Sequence, residues 1–400
     1  MHDKFRFPIG ATVTLEALAD NPHPVLHRLR TAEPVSWLPA LGGWLITRRD
    51  LAIEVMRDAR RFTVDHPGFS TAQVVGSSML SLDGTAHVRQ RAPFEPPFRR
   101  TAVLHRFQRP VADVVSRLLD VLEPNGRSEL RRDFAGPVAV HTMLTALGLE
   151  ATPVTAVLGW YDTIVEAVTR VTAGEPVSVA GREAFAALRQ SLLPALHHSP
   201  TISLLAAAAG AANGLSDDEI ISNAAVLLFG GIETTEGMIA NALYFLLANA
   251  AVLTAVCANP AILTSIIEES LRLEPAAAVV DRYATEDAEL GGAAIRAGDL
   301  VRVSLSAANR DPETFPNPDR FDPFRPNLRS HVTFAQGPHV CLGLHLARLE
   351  AELALGQLLG RLKGMRLEET AVSLSRPRGL VFRKPAALWV TWGQGNGRRV

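Results

Sequence analysis

The longest uninterrupted helical pattern of the chain covers residues 217–250, and it constrains the fold more than any other segment. It opens on Ser216 with Glu219 three residues later, the spacing of a capping box in which each side chain accepts a hydrogen bond from the other residue's backbone N–H. The adjoining residues 240–258 carry no charge and reach the length of a membrane span, but they are rich in alanine and interrupted by two asparagines. We therefore predict a buried helix that crosses the core of the protein.

Two adjacent glycines, Gly230 and Gly231, lie in the middle of this helix, where each costs about 1 kcal/mol relative to alanine. A helix tolerates that cost when the missing side chains make room for a ligand or for a local widening. Glu233 and Thr234 follow within one turn, on the face of Gly230. A carboxylate and a hydroxyl beside a gap could relay protons through water. Close helix packing with a solvated glutamate explains the same residues.

A lone cysteine, Cys341, stands between Gly337 and Gly343 in a loop that leads into an apolar, helix-periodic segment. The glycines would let the backbone approach a flat, bulky group, because they lack a Cβ. The helix is expected to begin near Leu342, and its positive end would favour a thiolate. A thiolate in such a loop suits an axial ligand of haem iron. An isolated free cysteine, by contrast, is usually a small buried hydrophobic residue.

Composition narrows the class of protein. A chain of 400 residues that is 47% hydrophobic can bury a large core, and no linker divides it, so we predict a single domain over residues 1–400. A net charge of −1, without a basic block or a base-stacking aromatic run, argues against binding of nucleic acid. Two cysteines cannot build a disulfide framework or a four-cysteine cluster. Residues 1–8 lack the order of a signal peptide, so we expect a soluble, cytoplasmic protein that is not bound to a membrane.

Arginine dominates the basic residues. Only Lys4, Lys363 and Lys384 are lysines among the 40 basic residues, which leaves 40 − 3 = 37 arginines. On the sequence alone, we interpret this excess as coding bias.

The coarse pattern predicts a mainly α protein with small β-sheets. Residues 23–32 indicate an amphipathic helix, 34–48 a hairpin, 64–85 a long loop over a substrate pocket, and 100–260 a mostly helical region. Strand-like pieces follow at 289–304 and 378–392. The sheets should therefore lie toward the C-terminal half, with one more near the N-terminus.

The loop around Cys341 resembles the haem-binding signature of the cytochrome P450 family, Phe-Gly-x-Gly-x-His/Arg-x-Cys-x-Gly. The residues in register are Phe334, Gly337, His339, Cys341 and Gly343. Ala335 stands where the family usually has glycine, and it would be strained if that position needs a positive φ. Further motifs follow in the family's order, and the resemblance covers nearly the whole chain. It implies the cytochrome P450 fold, with haem b between the long central helix and the cysteine-loop helix.

Residues 228–235 resemble the family's Ala/Gly-Gly-x-Asp/Glu-Thr-Thr motif. The resemblance implies that Cys341 is the axial ligand of the haem iron and that Gly230 and Gly231 form the dioxygen groove. Thr234 would hydrogen-bond the bound oxygen, and Glu233 would take part in the proton supply.

Two motifs of the family imply a scaffold beneath the cysteine loop. Glu269 and Arg272 match Glu-x-x-Arg, and residues 318–321 look like the Pro-x-Arg-Phe element. By this resemblance Arg320 completes a buried triad with the other two residues. Breaking such a group leaves an uncompensated charge, so we assign the triad to holding the loop rather than to chemistry.

Four basic side chains are candidates for holding the two haem carboxylates, which need donors if they are buried. His87 and Arg91 resemble the family's His-x-x-x-Arg, Arg282 stands in the matching strand, and His339 belongs to the cysteine loop. Taken singly, His87 and Arg91 would be ordinary surface residues.

The resemblance implies a haem-thiolate monooxygenase that inserts one atom of O2 into a mostly apolar organic substrate of secondary metabolism, by hydroxylation or epoxidation. Electrons would come from a separate ferredoxin and an NAD(P)H-dependent reductase. A peroxygenase, an oxidative coupling or cyclisation without oxygen insertion, and a non-catalytic haem sensor or carrier remain as alternatives. The substrate pocket would include Val226, Phe229, Ala277, Ala278, Val279 and Val280.

Overall fold

The computed structural model describes residues 6–150, 152–172, 175–198, 204–210 and 214–393. Residues 1–5, on which the expectation of a missing signal peptide partly rests, lie outside the described residues.

Helices make up most of the described residues, which confirms the predicted mainly α class with small sheets. The α-helices are α1 (Leu15–Asp20), α2 (His23–Ala32), α3 (Arg49–Arg57), α4 (Ser70–Val75), α5 (Gly84–Arg91), α6 (Glu95–Phe98), α7 (Arg100–Leu122), α8 (Gly136–Leu147), α9 (Val154–Thr172), α10 (Val179–His198), α11 (Leu204–Ala209), α12 (Asp217–Ala248), α13 (Ala250–Ala258), α14 (Leu263–Leu273), α15 (Leu305–Ala308), α16 (Leu344–Arg361) and α17 (Val372–Ser375).

The strands are short and form small sheets. They are β1 (Val35–Leu38), β2 (Gly43–Ile46), β3 (Phe62–Thr63), β4 (Arg127–Glu129), β5 (Val279–Ala284), β6 (Ala288–Leu290), β7 (Ala293–Ile295), β8 (Leu300–Ser304), β9 (Arg366–Leu367), β10 (Pro377–Arg378), β11 (Lys384–Pro385) and β12 (Trp389–Thr391). A five-stranded sheet has the order β1-β2-β8-β5-β3, and a three-stranded sheet has the order β4-β12-β9. In the larger sheet β5 runs antiparallel to β8, with Val280 opposite Val303.

The long helix α12 forms the centre of the helical layer, as its sequence predicts. Ser216 and Glu219 form the expected capping box, and the helix packs against α8, α14 and α16. The side-chain nitrogen of its buried Asn241 donates hydrogen bonds to the carbonyl oxygens of Glu274 and Arg383, which satisfies the donor end of this amide in the core.

Among the described residues, no single helix is long and apolar enough to cross a membrane. The pair α12 and α13 passes by length and composition only when taken together, and the two helices bend by 103° where they meet.

Local patterns predicted several elements correctly. Helix α2 covers the predicted residues 23–32, and β1 and β2 form the predicted hairpin. The prediction of a continuous loop over 64–85 is wrong in part, because α4 forms within it. The apolar side chains of Val74 and Val75 are buried there, and α4 packs against α9.

Candidate active site

A cavity of about 280 Å³ lies between α12 and α16. Its wall brings together many of the predicted site residues, namely Arg91, Val226, Gly230, Gly231, Thr234, Ala277, Val280, Phe334, His339, Cys341 and Gly343. The structure therefore places the cysteine loop and the glycine-threonine segment of α12 on one cavity, as the sequence predicts.

The cysteine loop is held by backbone contacts. The Cys341 N–H donates to the carbonyl of Phe334 at 2.8 Å, and the side chain of Cys341 faces the cavity. Gly337 has φ +76°, and a Cβ there would lie 2.5 Å from the carbonyl oxygen of Met56. Gly337 thus serves close packing against the end of α3. Gly343 differs, because no atom of the described residues lies within 4 Å of a Cβ placed there, so it leaves the cavity open.

Ala335 adopts φ 58°, which is the left-handed conformation. The family usually has glycine at this position, and glycine adopts that conformation without strain. A non-glycine residue in this region costs about 1–2 kcal/mol. We expect Ala335→Gly to stabilise the protein by roughly 0.5–1 kcal/mol, since glycine's larger unfolded-state entropy offsets part of the gain. Denaturant unfolding of the haem-loaded protein measures the change. Ala255→Gly, in the right-handed conformation of α13, should destabilise it instead, by up to about 1 kcal/mol. A loss of stability in Ala335→Gly would contradict the strain.

Opposing effects act on the thiol of Cys341. Burial raises its pKa, while the N–H of Gly343 and the cations Arg91 and Arg348 lower it, and burial has the larger effect. The N–H of Gly343, just before α16, thus acts in the direction expected of the helix end, but desolvation of the thiolate outweighs it. Helix α16 also begins at Leu344 rather than near Leu342. A metal cation bound to the sulfur would supply the missing stabilisation of the anion.

The basic residues around His339 fit the two carboxylates of a haem. The buried atoms His87 Nε2 and Arg282 Nη2 have no hydrogen-bond partner among the described residues, and such atoms cost about 1–3 kcal/mol each unless a ligand satisfies them. The His87 and His339 rings lie 4.4 Å apart, and Arg91 borders the cavity while donating to the carbonyl of Val340. Burial, together with the charges of His339 and Arg91, lowers the pKa of His87 to about 4, so its ring is neutral at pH 7.

The side chain of His339 is held in place by Asp83. Its Nε2 lies 2.8 Å from Asp83 Oδ1, and Asp83 also accepts hydrogen bonds from the hydroxyl of Thr63 and the N–H of Val64. The sequence did not single out Asp83. The sequence feature that could have identified Asp83 is its position at the N-terminus of α5, four residues before His87.

The middle of α12 presents a hydroxyl to the cavity. Thr234 Oγ1 donates to the carbonyl of Gly230 at 2.5 Å. A Cβ at Gly230 would meet no atom of the described residues within 4 Å, whereas one at Gly231 would lie 2.2 Å from the sulfur of Met143. Gly230 therefore opens space beside Thr234, while Gly231 also permits close packing of α12 on α8. Thr235 also borders the cavity.

Glu233 is turned away from the cavity, although Thr234 is its neighbour. Its Oε1 lies 2.8 Å from Lys384 Nζ, and its Oε2 accepts a hydrogen bond from the hydroxyl of Tyr161. Burial and the charge of Glu233 raise the pKa of Tyr161, so the phenol remains a donor. The expectation that Glu233 and Thr234 share the face of Gly230 is thus wrong for Glu233. Consecutive helical residues point about 100° apart, and the carboxylate follows its charged partners.

The buried triad contains Arg325 and not Arg320. Arg325 Nε lies 3.0 Å from Glu269 Oε1, and Arg272 Nε lies 2.7 Å from Glu269 Oε2. The side chain of Arg320 is exposed, and only its backbone carbonyl takes part, accepting from Arg272 and Arg325. The chain turns at Asn317, which has φ 48°, three residues before Arg320.

The triad reaches the segment before the cysteine loop through Asn309. Arg272 Nη1 donates to the Asn309 carbonyl at 2.9 Å, and Asn309 Oδ1 accepts from the N–H of Val332 at 2.7 Å. Thr333 joins the same network by bonding the Asn309 amide and the Leu271 carbonyl. These contacts support the predicted scaffolding role.

Three of the predicted pocket residues do not border the cavity. Phe229 packs against Phe382, with ring centroids 5.4 Å apart. Ala278 and Val279 face a smaller pocket beside α1 and α2. Side chains alternate along β5, so Val280 points into the main cavity when Val279 points away. Met79 and Leu80, from the segment 64–85 that was predicted to cover the pocket, border the cavity. Leu227 borders it as well and was not predicted.

The sequence analysis also missed Glu350, a buried acid in the cavity wall. Its Oε1 has no hydrogen-bond partner among the described residues, and burial raises the pKa of its carboxyl well above 4.5 even though Thr142 bonds to it. The sequence feature that could have identified Glu350 is a single glutamate on the apolar face of α16.

Because its pKa is raised in the folded state, Glu350 favours folding most below pH 4.5, and that contribution is lost as the pH rises toward the folded pKa. We expect Glu350→Gln to remove this loss. The unfolding free energy of the variant minus that of the wild type should then increase between pH 5 and 7, by at most about 1.4 kcal/mol per pH unit. Denaturant unfolding at several pH values measures it. A difference independent of pH would contradict the raised pKa.

Known proteins share this architecture over nearly its full length. The family model described as Cytochrome P450 matches residues 182–389. The chain is 30% identical to nocardicin C N-oxygenase of Nocardia uniformis subsp. tsuyamanensis, covering 98% of this chain and 99% of the relative. It is 33% identical to mycinamicin IV hydroxylase/epoxidase of Micromonospora griseorubida, covering 91% and 94%. The crystal structure of CalO2 superposes with a TM-score of 0.86 at 28% identity, covering 96% of this chain and 100% of that one.

Proposed function

The chain belongs to the cytochrome P450 family and is a haem-dependent monooxygenase, and on that premise we propose that it inserts one atom of O2 into a mostly apolar natural product by hydroxylation or epoxidation. The observation that carries this proposal is that Cys341, in the loop before α16, and Thr234, on α12, border the same apolar cavity. The names of the two relatives, an N-oxygenase and a hydroxylase/epoxidase, support oxygen insertion as the reaction type.

Each part of the site would have a distinct role toward the cofactor. Bound haem b supplies the oxygen-activating chemistry. Cys341 would hold its iron, and His87, Arg91, Arg282 and His339 would hold its carboxylates. Phe334, Gly337 and Gly343 would shape the loop around the sulfur, and the triad with Arg325 would keep that loop in place. We treat residues 1–400 as one domain for this purpose.

The cavity wall would bind the substrate and exclude water. Met79, Leu80, Val226, Ala277 and Val280 contribute apolar or small side chains to it. Apolar contact of this kind stabilises an apolar ligand by roughly 25 cal/mol per Å² of buried surface. The small residues at 276 and 277 leave room for a bulky substrate.

Thr234 and Glu233 would handle protons. The Thr234 hydroxyl faces the cavity and would orient water or a reacting oxygen by hydrogen bonding. Glu233, on the far side of the helix, would accept protons from its own partners and resupply this position.

Electrons would come from a ferredoxin and an NAD(P)H-dependent reductase. Arg99 and Arg100 are exposed at the start of α7, and Arg109 is exposed further along the helix. Helix α7 packs against α16, which follows the cysteine loop. This basic surface would attract an acidic electron carrier to the side of the protein near Cys341.

The proposal is tested with isotopically labelled oxygen. A library of macrolactones, terpenoids and modified peptides is first screened for compounds that shift the Soret band of the haem-loaded protein. The binding compounds are then incubated with surrogate ferredoxin, reductase and NADPH under ¹⁸O2. We expect a product that has gained one ¹⁸O atom. A product that is coupled, cyclised or desaturated, with no label, would overturn oxygen insertion.

A further inference from the structure

Lys384, at the start of β11, joins two acidic residues of α12. Its Nζ lies 2.8 Å from Glu233 Oε1 and 2.5 Å from Glu236 Oε2. Arg131 Nη1 also contacts Glu236, at 3.0 Å, so Glu236 has a second cation. Among the described residues, Lys384 is the cation that contacts Glu233.

Lys384 is also the more solvent-exposed member of its pair with Glu233. Its side chain is 18% exposed, whereas that of Glu233 is 10% exposed. The other partner of Glu233 is the buried Tyr161, whose raised pKa keeps its proton on the phenol. The exposed Asp162 faces the same group, and burial and the charge of Glu233 raise the pKa of its carboxyl. Lys384 is therefore the partner of Glu233 that both contacts water and carries an exchangeable proton.

The identity of residue 384 is unusual for this chain. With 37 arginines among 40 basic residues, the protein pairs its buried carboxylates mainly with arginine, as in Arg348–Glu268 and Arg131–Glu236. An arginine would hold Glu233 as a cation equally well, but a guanidinium does not release its proton, whereas a lysine ammonium does. A role that needs only charge does not account for lysine at this position.

We propose that Lys384 is the solvent-side member of the proton path to Glu233, an inference that rests on the proposed oxygenase function. In this step an N–H bond of the Lys384 ammonium breaks and an O–H bond forms on Glu233. The neutral amine then takes a proton from solvent water. Glu233 passes its proton toward Thr234, and the net result is one proton moved from solvent to the cavity side of α12.

The first test does not require turnover. Protein labelled with ¹⁵N-lysine should show three side-chain signals, and the signal that disappears in Lys384→Arg belongs to Lys384. We expect the Lys384 signal to shift in Glu233→Gln. We also expect the Lys384 ammonium protons to exchange with water at a rate within about tenfold of that of the exposed Lys363. A Lys384 signal that ignores Glu233→Gln, or protons that exchange much more slowly, would overturn the proposal.

The second test compares variants of the haem-loaded protein with O2 as the electron acceptor and surrogate redox partners. Lys384→Arg keeps the charge, so we expect it to unfold at the wild-type temperature but to oxidise NADPH more slowly, on the order of 10²-fold, with a larger solvent deuterium isotope effect. Lys363→Arg, the matched exchange at the exposed lysine, should behave as wild type. If Lys384→Arg matches wild type in rate and isotope effect, Lys384 is only a structural cation.

The two proposals fail in different ways. If no compound gains ¹⁸O in wild-type protein, the oxygenase function fails, while the exchange measurement on Lys384 remains valid. If oxygen is inserted normally by Lys384→Arg, the oxygenase function stands and the lysine path fails.

Discussion

Replacing Arg325 by alanine is expected to lower the free energy of unfolding by about 3–5 kcal/mol, because it leaves Glu269 with one fewer buried cation. The Glu269 and Arg272 side chains are fully buried, and Arg325 is 5% exposed, so water cannot replace the lost contact. Arg325 also donates to the backbone carbonyls of Asn317 and Arg320, at 2.6 and 2.8 Å, and these acceptors would lose their donor.

Arg320→Ala is the matched control for this prediction. The exposed side chain is lost, but the backbone carbonyl that accepts from Arg272 and Arg325 is retained. We expect a change within about 0.5 kcal/mol. Denaturant unfolding followed by circular dichroism, with the Soret band as a second signal, measures both variants. Equal losses in the two variants, or a larger loss for Arg320→Ala, would contradict the triad that the structure shows.

Thr234→Ala and Glu233→Gln are each expected to reduce product formation on the order of 10²-fold, the usual contribution of a positioned proton donor or acceptor. Thr234 supplies the hydroxyl in the cavity wall, and Glu233 supplies the carboxylate that Lys384 and Tyr161 hold. Neither change removes a side chain predicted to contact the haem carboxylates, so haem loading should be unchanged.

The measurement is the rate of product formation from a screened compound, compared with the Soret titration of the same compound. Thr254→Ala is the matched control, because Thr254 makes the same hydroxyl bond to the carbonyl four residues before it, at 2.9 Å, but is exposed on α13. Wild-type product yield in Thr234→Ala and Glu233→Gln would contradict their assignment to proton handling.

Features encoded over a few neighbouring residues were predictable from the sequence. The capping box at Ser216, the limits of α2 and the first hairpin depend on local hydrogen bonds and periodicity, and the structure confirms each of them. The family's glycine at position 335 raised the question of a positive φ there, and Ala335 has one. The placement of Cys341 opposite α12 was implied by the resemblance to the cytochrome P450 family.

Features that depend on packing between distant segments were not predictable. Arg320 and Arg325 are both arginines in an irregular segment, and it is Arg325 whose side chain is buried against the distant Glu269. Glu233 turns toward Lys384, which lies 151 positions later in the chain (384 − 233).

The most direct measurement is the absorption spectrum of the reduced, carbon-monoxide-treated protein, compared between the wild type and Cys341→Ser. An anionic sulfur opposite the gas gives the long-wavelength Soret maximum that marks haem-thiolate proteins. We predict that maximum in the wild type and in Cys257→Ser, the change at the other cysteine of the chain, and its loss in Cys341→Ser. A wild-type protein without the maximum, or a Cys341→Ser variant that keeps it, would contradict the account.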